Sequence, residues 1–139
     1  MSVLFKGGTV VNATGRYQAD VLAEGDKIKA IGVDLDNPAD EVVDAKGKYI
    51  LPGAIDPHTH ISMPFMGTSA QDDYETGTIA AACGGVTCVV DFDLQQKGET
   101  LFEALERKKA LAEGKVCVDY SLHPAIMDPR PDVIAEVKK

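Results

Sequence analysis

Cysteine is scarce in this 139-residue chain: Cys83, Cys88 and Cys117 are its three copies. No two of them form a C-x-x-C, so neither a disulfide framework nor a zinc finger is encoded. The three read as small core thiols in a reducing compartment. Long apolar runs are missing as well. None approaches the ~20 residues that a membrane span requires. Lys6 ends the opening run Met1-Ser2-Val3-Leu4-Phe5 before a signal-peptide core could form. Basic residues are in the minority, 14 Lys and Arg against 22 Asp and Glu, for a net charge of −8. Such a balance neutralises no phosphates, so no nucleic acid and no membrane surface are expected as partners. A cytoplasmic protein is the expectation, and the Asn12-Ala13-Thr14 sequon then reads as chance. What is present suits a globular fold. At 45% hydrophobic and 26% charged, the chain can bury a core, and its length allows one domain or two small pieces.

Residues 1–51 read as short strands joined by turns. Val3 to Val11 is a candidate strand interrupted by Gly7-Gly8, and Ala19 to Ala23 and Lys27 to Ile31 flank the hairpin signal Glu24-Gly25-Asp26. Val42-Val43 and Tyr49-Ile50-Leu51 flank a turn at Lys46-Gly47-Lys48, and polar Asp34 to Glu41 reads as loop. Strands this short suit a small antiparallel sheet or sandwich. After Leu51-Pro52-Gly53 the apolar period changes from 2 to 3.6. A strand over Ile55 to His60 precedes a loop rich in Met, Phe, Pro and Gly. Ser69-Ala70-Gln71-Asp72 then has the form of a capping box, opening a helix that ends at Gly84-Gly85. Val86 to Phe92 reads as a strand buried on both faces of a parallel sheet. Thr100 to Glu103 repeats the capping pattern before a helix whose face is Leu101, Ala104, Leu105, Leu111 and Ala112. Val116 to Leu122 is the next strand, and Pro131 opens a helix still running at Lys139. This β-then-α alternation predicts an α/β fold for residues 52–139, roughly a third of a ~250-residue parallel barrel. The sequence has the look of the front of a larger chain.

One segment carries chemistry. In Asp56-Pro57-His58-Thr59-His60, residues two apart on a strand point to the same side, so both imidazoles can grip one cation. Histidine is a common ligand of zinc-like metals, and a strand's C-terminal mouth is where parallel barrels keep their active sites. From the residues alone the pair reads either as a metal site or as two structural histidines. His123, at the end of the third strand, reads as a hydrogen-bonded structural histidine. Asp91 and Asp93 read as solvated loop acids, or else as groups standing behind the metal ligands. Met63, Phe65 and Met66 either line a pocket or cap the core.

Leu51 to His60 resembles the PGxxDxHxH signature of the amidohydrolase superfamily. Its extension from Met63-Pro64-Phe65-Met66-Gly67-Thr68, through Asp72 to Thr78, Ala80-Ala81-Ala82 and Gly84 to Thr87, resembles the dihydropyrimidinase and D-hydantoinase family. Asp91-Phe92 and Asp119 to His123 carry the likeness onward. The resemblance implies the first three βα units of a (β/α)8 TIM barrel (residues 52–139), preceded by the N-terminal part of a small β-sandwich (residues 1–51). It also implies a centre of two divalent metals, usually zinc, with His58 and His60 among the ligands. The bridging carboxylated lysine, two more histidines and an aspartate lie beyond residue 139, and neither Lys138 nor Lys139 sits in the family's lysine motif. The implied activity is hydrolysis of a small cyclic ureide, a dihydropyrimidine or 5-substituted hydantoin, to an N-carbamoyl amino acid. Met63 and Phe65 match a loop against the ring's substituent. The complete protein is expected to be a homotetramer, and these 139 residues alone to be inactive. Dihydroorotase-like enzymes carry an arginine after HxH, where Ile61-Ser62-Met63 stand here. The MPFMGT segment is unlike that of allantoinases. Non-catalytic, dihydropyrimidinase-related assembly proteins have lost the histidine pair.

Overall fold

Period-2 alternation in the first fifty residues builds a five-stranded sheet. Its strands are β1 (Ser2–Asn12), β2 (Gly15–Glu24), β3 (Lys27–Gly32), β4 (Glu41–Asp44) and β5 (Tyr49–Ile50). The computed structural model describes residues 1–137, and the chain divides into two compact units after Pro52. In the first unit β1, β2 and β3 form the antiparallel meander expected, with Gly25 at φ 60° in the two-residue turn between β2 and β3. At Gly7-Gly8 the register shifts, and the buried Asp20 accepts a hydrogen bond from the freed Gly7 N–H (2.6 Å) and another from Leu35 N–H (2.9 Å). Val10, Ala19 and Val21 form the core, with Phe5 and Ile50 packed on it.

The all-antiparallel expectation fails for β4 and β5, which both run parallel to β1. The β2–β3 hairpin and the polar segment after it together act as a crossover, bringing the chain back beside β1 in the same direction.

The second unit begins at Gly53. It contains β6 (Ala54–Thr59), β7 (Pro64–Phe65), β8 (Thr68–Ser69), α1 (Tyr74–Cys83), β9 (Val86–Leu94), α2 (Leu101–Ala112), β10 (Asp119–Ala125) and α3 (Pro131–Glu136). Strands β6, β9 and β10 form a parallel sheet in the order β10-β9-β6. The fold is therefore α/β with mixed sheets. Ile61, Tyr74, Val89 and Ala112 make its buried core. Gly53 lies so close to the Thr87 side chain that any Cβ there would collide with it. None of the helices among the described residues is long and apolar enough to cross a membrane.

Several expectations need correction. The first helix does not start from Ser69. Met66 (φ 49°) and Gly67 (φ 82°) close a two-residue turn of the type that demands positive φ twice, and Ser69 is consumed in the β7–β8 hairpin. Asp73 caps α1 instead, accepting from Thr76 N–H at 2.9 Å while the Thr76 hydroxyl accepts from Asp73 N–H at 3.2 Å. Strand β10 starts at Asp119 and not at Val116, because Gly114 to Val118 forms the passage out of α2. Strand β9 is buried on one face only, through Val89, Asp91 and Asp93, while Val90 and Phe92 on its other face are half-buried. Cys83 and Cys117 are exposed free thiols, not core residues. Helix α2 begins at the expected Thr100–Glu103 capping box, but it buries Lys108 where Leu105 and Leu111 were expected inside. Helix α3 ends at Glu136, and Lys138 and Lys139 lie outside the described residues.

Candidate metal centre

Strand alternation delivers the two histidines to one face. Pro57 has no N–H for the ladder, and the β6–β9 register shifts between Asp56 and Thr59. There the Asp56 carboxylate accepts from His58 N–H (3.2 Å) and stands in for the missing strand bond. His58 and His60 emerge with their Nε2 atoms 3.2 Å apart, ring planes at 84°, both side chains exposed. Phe92 stands under them, with ring centroids 4.6 Å from His58 and 5.5 Å from His60. Its β10 register partner His123 lies on its other side at 5.4 Å. All three histidines of the chain thus gather round one aromatic ring at the C-terminal ends of parallel strands.

Whether such a pair suits a metal can be judged from the nitrogen separation. Two imidazole nitrogens each ~2.0–2.1 Å from one tetrahedral zinc lie about 3.3–3.4 Å apart. The observed 3.2 Å fits that bite. A neutral pair could also share one hydrogen bond at this distance. Among the described residues no group of three or more His, Cys, Asp or Glu side chains converges for a metal, so the pair is a partial ligand set.

Behind the pair lies a network whose acids, Asp91 and Asp93, the sequence left open between solvated loop groups and groups standing behind the ligands, and whose partners Lys108, Arg107 and Tyr74 it did not single out. Asp91 is fully buried, contrary to its reading as a solvated loop acid, because β9 runs on to Leu94 and turns residues 91 and 93 toward the helices. It forms an ion pair with Lys108 at 2.9 Å, with the two side chains 0% and 4% exposed. It also accepts from the Tyr74 hydroxyl (2.8 Å), Ile61 N–H (2.8 Å) and the Thr59 hydroxyl (3.1 Å). Burial, then the hydrogen bond to Asp91 and its charge, push the Tyr74 hydroxyl far above its ordinary pKa, so it remains a donor. Asp93 is buried too and meets Arg107 at 3.2 Å; Glu99 binds the same guanidinium at 2.9 Å. Burial raises the Asp93 pKa against the pull of Arg107, and its Oδ2 has no hydrogen-bond partner among the described residues. The signal for Lys108 was available: it lies four residues from both Ala104 and Ala112, on the apolar stripe, where a lysine requires a buried acid.

The loop after His60 is set beside the histidines. Met63 lines a concavity of about 420 Å³ together with His60, Thr68, Ser69 and Ala70. It also borders a second one of about 550 Å³ with Phe92, Asp93, Arg107 and Lys108. Met66 is 89% exposed at the hairpin tip. Phe65 has its backbone in β7, and its side chain lies outside the described residues.

Residues 49–133 match the model of the amidohydrolase family. The chain belongs to the amidohydrolase family. Proteins of this amidohydrolase group are generally dependent on a pair of metal ions. Over 139 residues the chain is 50% identical to a D-hydantoinase of Geobacillus stearothermophilus, covering 100% of itself and 30% of that protein. It is 47% identical over 129 residues to a dihydropyrimidinase of Rattus norvegicus, covering 89% of itself and 25% of the relative. The crystal structure of a dihydropyrimidinase from Brevibacillus agri NCHU1002 superposes with a TM-score of 0.94 at 49% identity, over 99% of this chain and 30% of that one. The chain therefore spans 30% or less of the length of these relatives.

Proposed function

We propose that the complete protein hydrolyses the ring amide of a small cyclic ureide, a dihydropyrimidine or a 5-substituted hydantoin, to an N-carbamoyl amino acid. His58 and His60 are two of its metal ligands. The observation that carries this reading is the pair of Nε2 atoms 3.2 Å apart at the mouth of the first parallel strand, in a chain 50% identical to a D-hydantoinase. A divalent metal pair held in part by His58 and His60, zinc in this reading, would supply Lewis acidity and lower the pKa of a bound water. The chain's own residues do the rest of what this segment can do. His58 and His60 present two converging ring nitrogens, Phe92 packs against both imidazoles, and Met63 offers an apolar wall to the substituent of the ring, with Phe65 assigned to the same loop.

In the same proposal residues 52–139 are the first three βα units of a (β/α)8 TIM barrel, and the sheet of residues 1–51 is one part of a small β-sandwich. The complete protein is a homotetramer in the cytoplasm. The remaining ligands, a carboxylated lysine among them, would be supplied by residues other than these 139. The 139 residues alone are therefore inactive. The order of β6, β9 and β10 in a parallel sheet supports the barrel, since neighbours in sequence are neighbours in space.

The test joins this chain in frame to the portion of Geobacillus stearothermophilus D-hydantoinase that follows the matched segment. Ring opening of dihydrouracil and 5-substituted hydantoins by the joined protein is the expected result, with no turnover by the 139 residues alone. A folded joined protein that opens neither ring overturns the proposal.

A further inference from the structure

The backbone that carries His60 is gripped from the opposite side of the sheet. Side chains alternate along this segment, so His58 and His60 face one way while Thr59 and Ile61 face the helices. On the helix side Asp91 Oδ1 accepts from Ile61 N–H (2.8 Å) and from the Thr59 hydroxyl (3.1 Å). Lys108 Nζ donates to the Ile61 carbonyl at 2.6 Å and pairs with Asp91 Oδ2 at 2.9 Å. The Tyr74 hydroxyl seats the same Asp91 oxygen at 2.8 Å. Both backbone polar groups of the residue after His60, and the side chain of the residue before it, end on one buried ion pair.

The strand ladder gives no such hold. Strand β6 ends at Thr59, and at Ser62 the chain turns through φ 49°. We infer that the Asp91–Lys108 pair is a positioning device for His60, fixing the direction in which its Nε2 meets that of His58. The physical argument is one of cost against return. Burying two charges is expensive, and apolar residues of similar volume pack as well or better. What an apolar pair cannot do is bind a backbone N–H and C=O at once in a set direction. Partners behind metal ligands govern affinity in this manner, typically by 10–100-fold. The inference rests on the proposed function only for the identity of the natural metal; the convergence of the two nitrogens is a property of this chain.

Cupric ion is the probe. The full 139-residue chain is titrated with Cu2+ at neutral pH, and the number of coordinated imidazoles is read from the nitrogen couplings in its electron paramagnetic resonance spectrum. The parent chain should bind one Cu2+ through two imidazoles, and His60→Ala through one. Two further variants are chosen to keep the fold: Thr59→Val, which is near-isosteric and favoured in strands, and the double variant Asp91→Asn with Lys108→Met, which leaves no uncompensated buried charge. Each should lose at least about tenfold in Cu2+ affinity and shift toward the single-imidazole spectrum, with circular dichroism unchanged. Folded variants that keep two imidazoles at parental affinity overturn the inference, because a merely structural pair would leave that signature intact. A parent chain that binds Cu2+ through one imidazole or none overturns it as well. Absence of hydantoin hydrolysis in the joined protein, with the Cu2+ results as expected, refutes the proposed function alone.

Discussion

Replacing Lys108 by methionine puts a number on the buried pair. Lys108 is 3% exposed and its ammonium has two close partners, Asp91 and the Ile61 carbonyl. Removing one member of a buried pair costs about 3–5 kcal/mol, because the other charge is left without compensation. Here Asp91 would retain three neutral donors, from Tyr74, Ile61 and Thr59, which favours the lower end of that range. The Ile61 carbonyl loses its donor, worth about 1–3 kcal/mol when buried. Methionine returns little, since the lysine stem is already packed. About 3–5 kcal/mol is therefore expected, a large share of the roughly 5–15 kcal/mol that holds a domain together. Urea denaturation followed by circular dichroism measures it as a lowered midpoint at constant slope. The double variant with Asp91→Asn should lose less than the sum of the two single losses, by more than about 1 kcal/mol. A Lys108→Met loss under about 1 kcal/mol, or strict additivity in the double variant, would refute the reasoning.

In the joined protein, His58→Ala and His60→Ala should each deplete bound metal and collapse kcat while circular dichroism shows the fold retained; elemental analysis beside kinetics checks this. Met63→Ala should raise kcat/KM for bulky 5-substituted hydantoins relative to dihydrouracil, by an amount near that of ~1–3 kcal/mol per methylene-sized contact, and an unaltered substrate ranking would remove Met63 from the site. Gly53→Ala should destabilise by about 1–3 kcal/mol, because the added methyl meets Thr87 and its stiff, branched side chain; pairing it with Thr87→Gly should recover part of the loss in Tm. The Asp73 cap has a pH signature. Thr76 N–H holds the Asp73 carboxyl below its ordinary value of 3.8, so its stabilisation is present above that pH and is lost as pH falls through the lowered value. Parent and Asp73→Ala should thus differ in Tm at neutral pH and converge in strong acid; a constant gap contradicts the assignment.

Local signals were legible where one residue's chemistry settles the matter. Thr100 and Glu103 satisfy each other's backbone donors, Pro131 opens α3, and alternation at His58 and His60 places both rings on one face. The same kind of signal misled at Ser69 and Asp72, because a hairpin closed by Met66-Gly67 claimed Ser69 first. Partners distant in sequence stayed hidden. Lys108 on the apolar stripe of α2 calls for a buried acid, but only the packing of α2 against β9 shows that the acid is Asp91. The parallel course of β4 was hidden for a related reason, since strand direction is set by the whole preceding hairpin and not by the residues of β4. Phe92 was read as one more apolar residue of β9, yet its ring is what the three histidines share.

The most direct test of the account is the metal content of the joined protein beside that of its His60→Ala form. The account predicts two divalent ions per chain in the parent, with hydantoin ring opening, and a coordinated loss of metal and turnover in the variant. Parental metal content with parental turnover in His60→Ala would contradict the assignment of the histidine pair, and with it the proposed function of this segment.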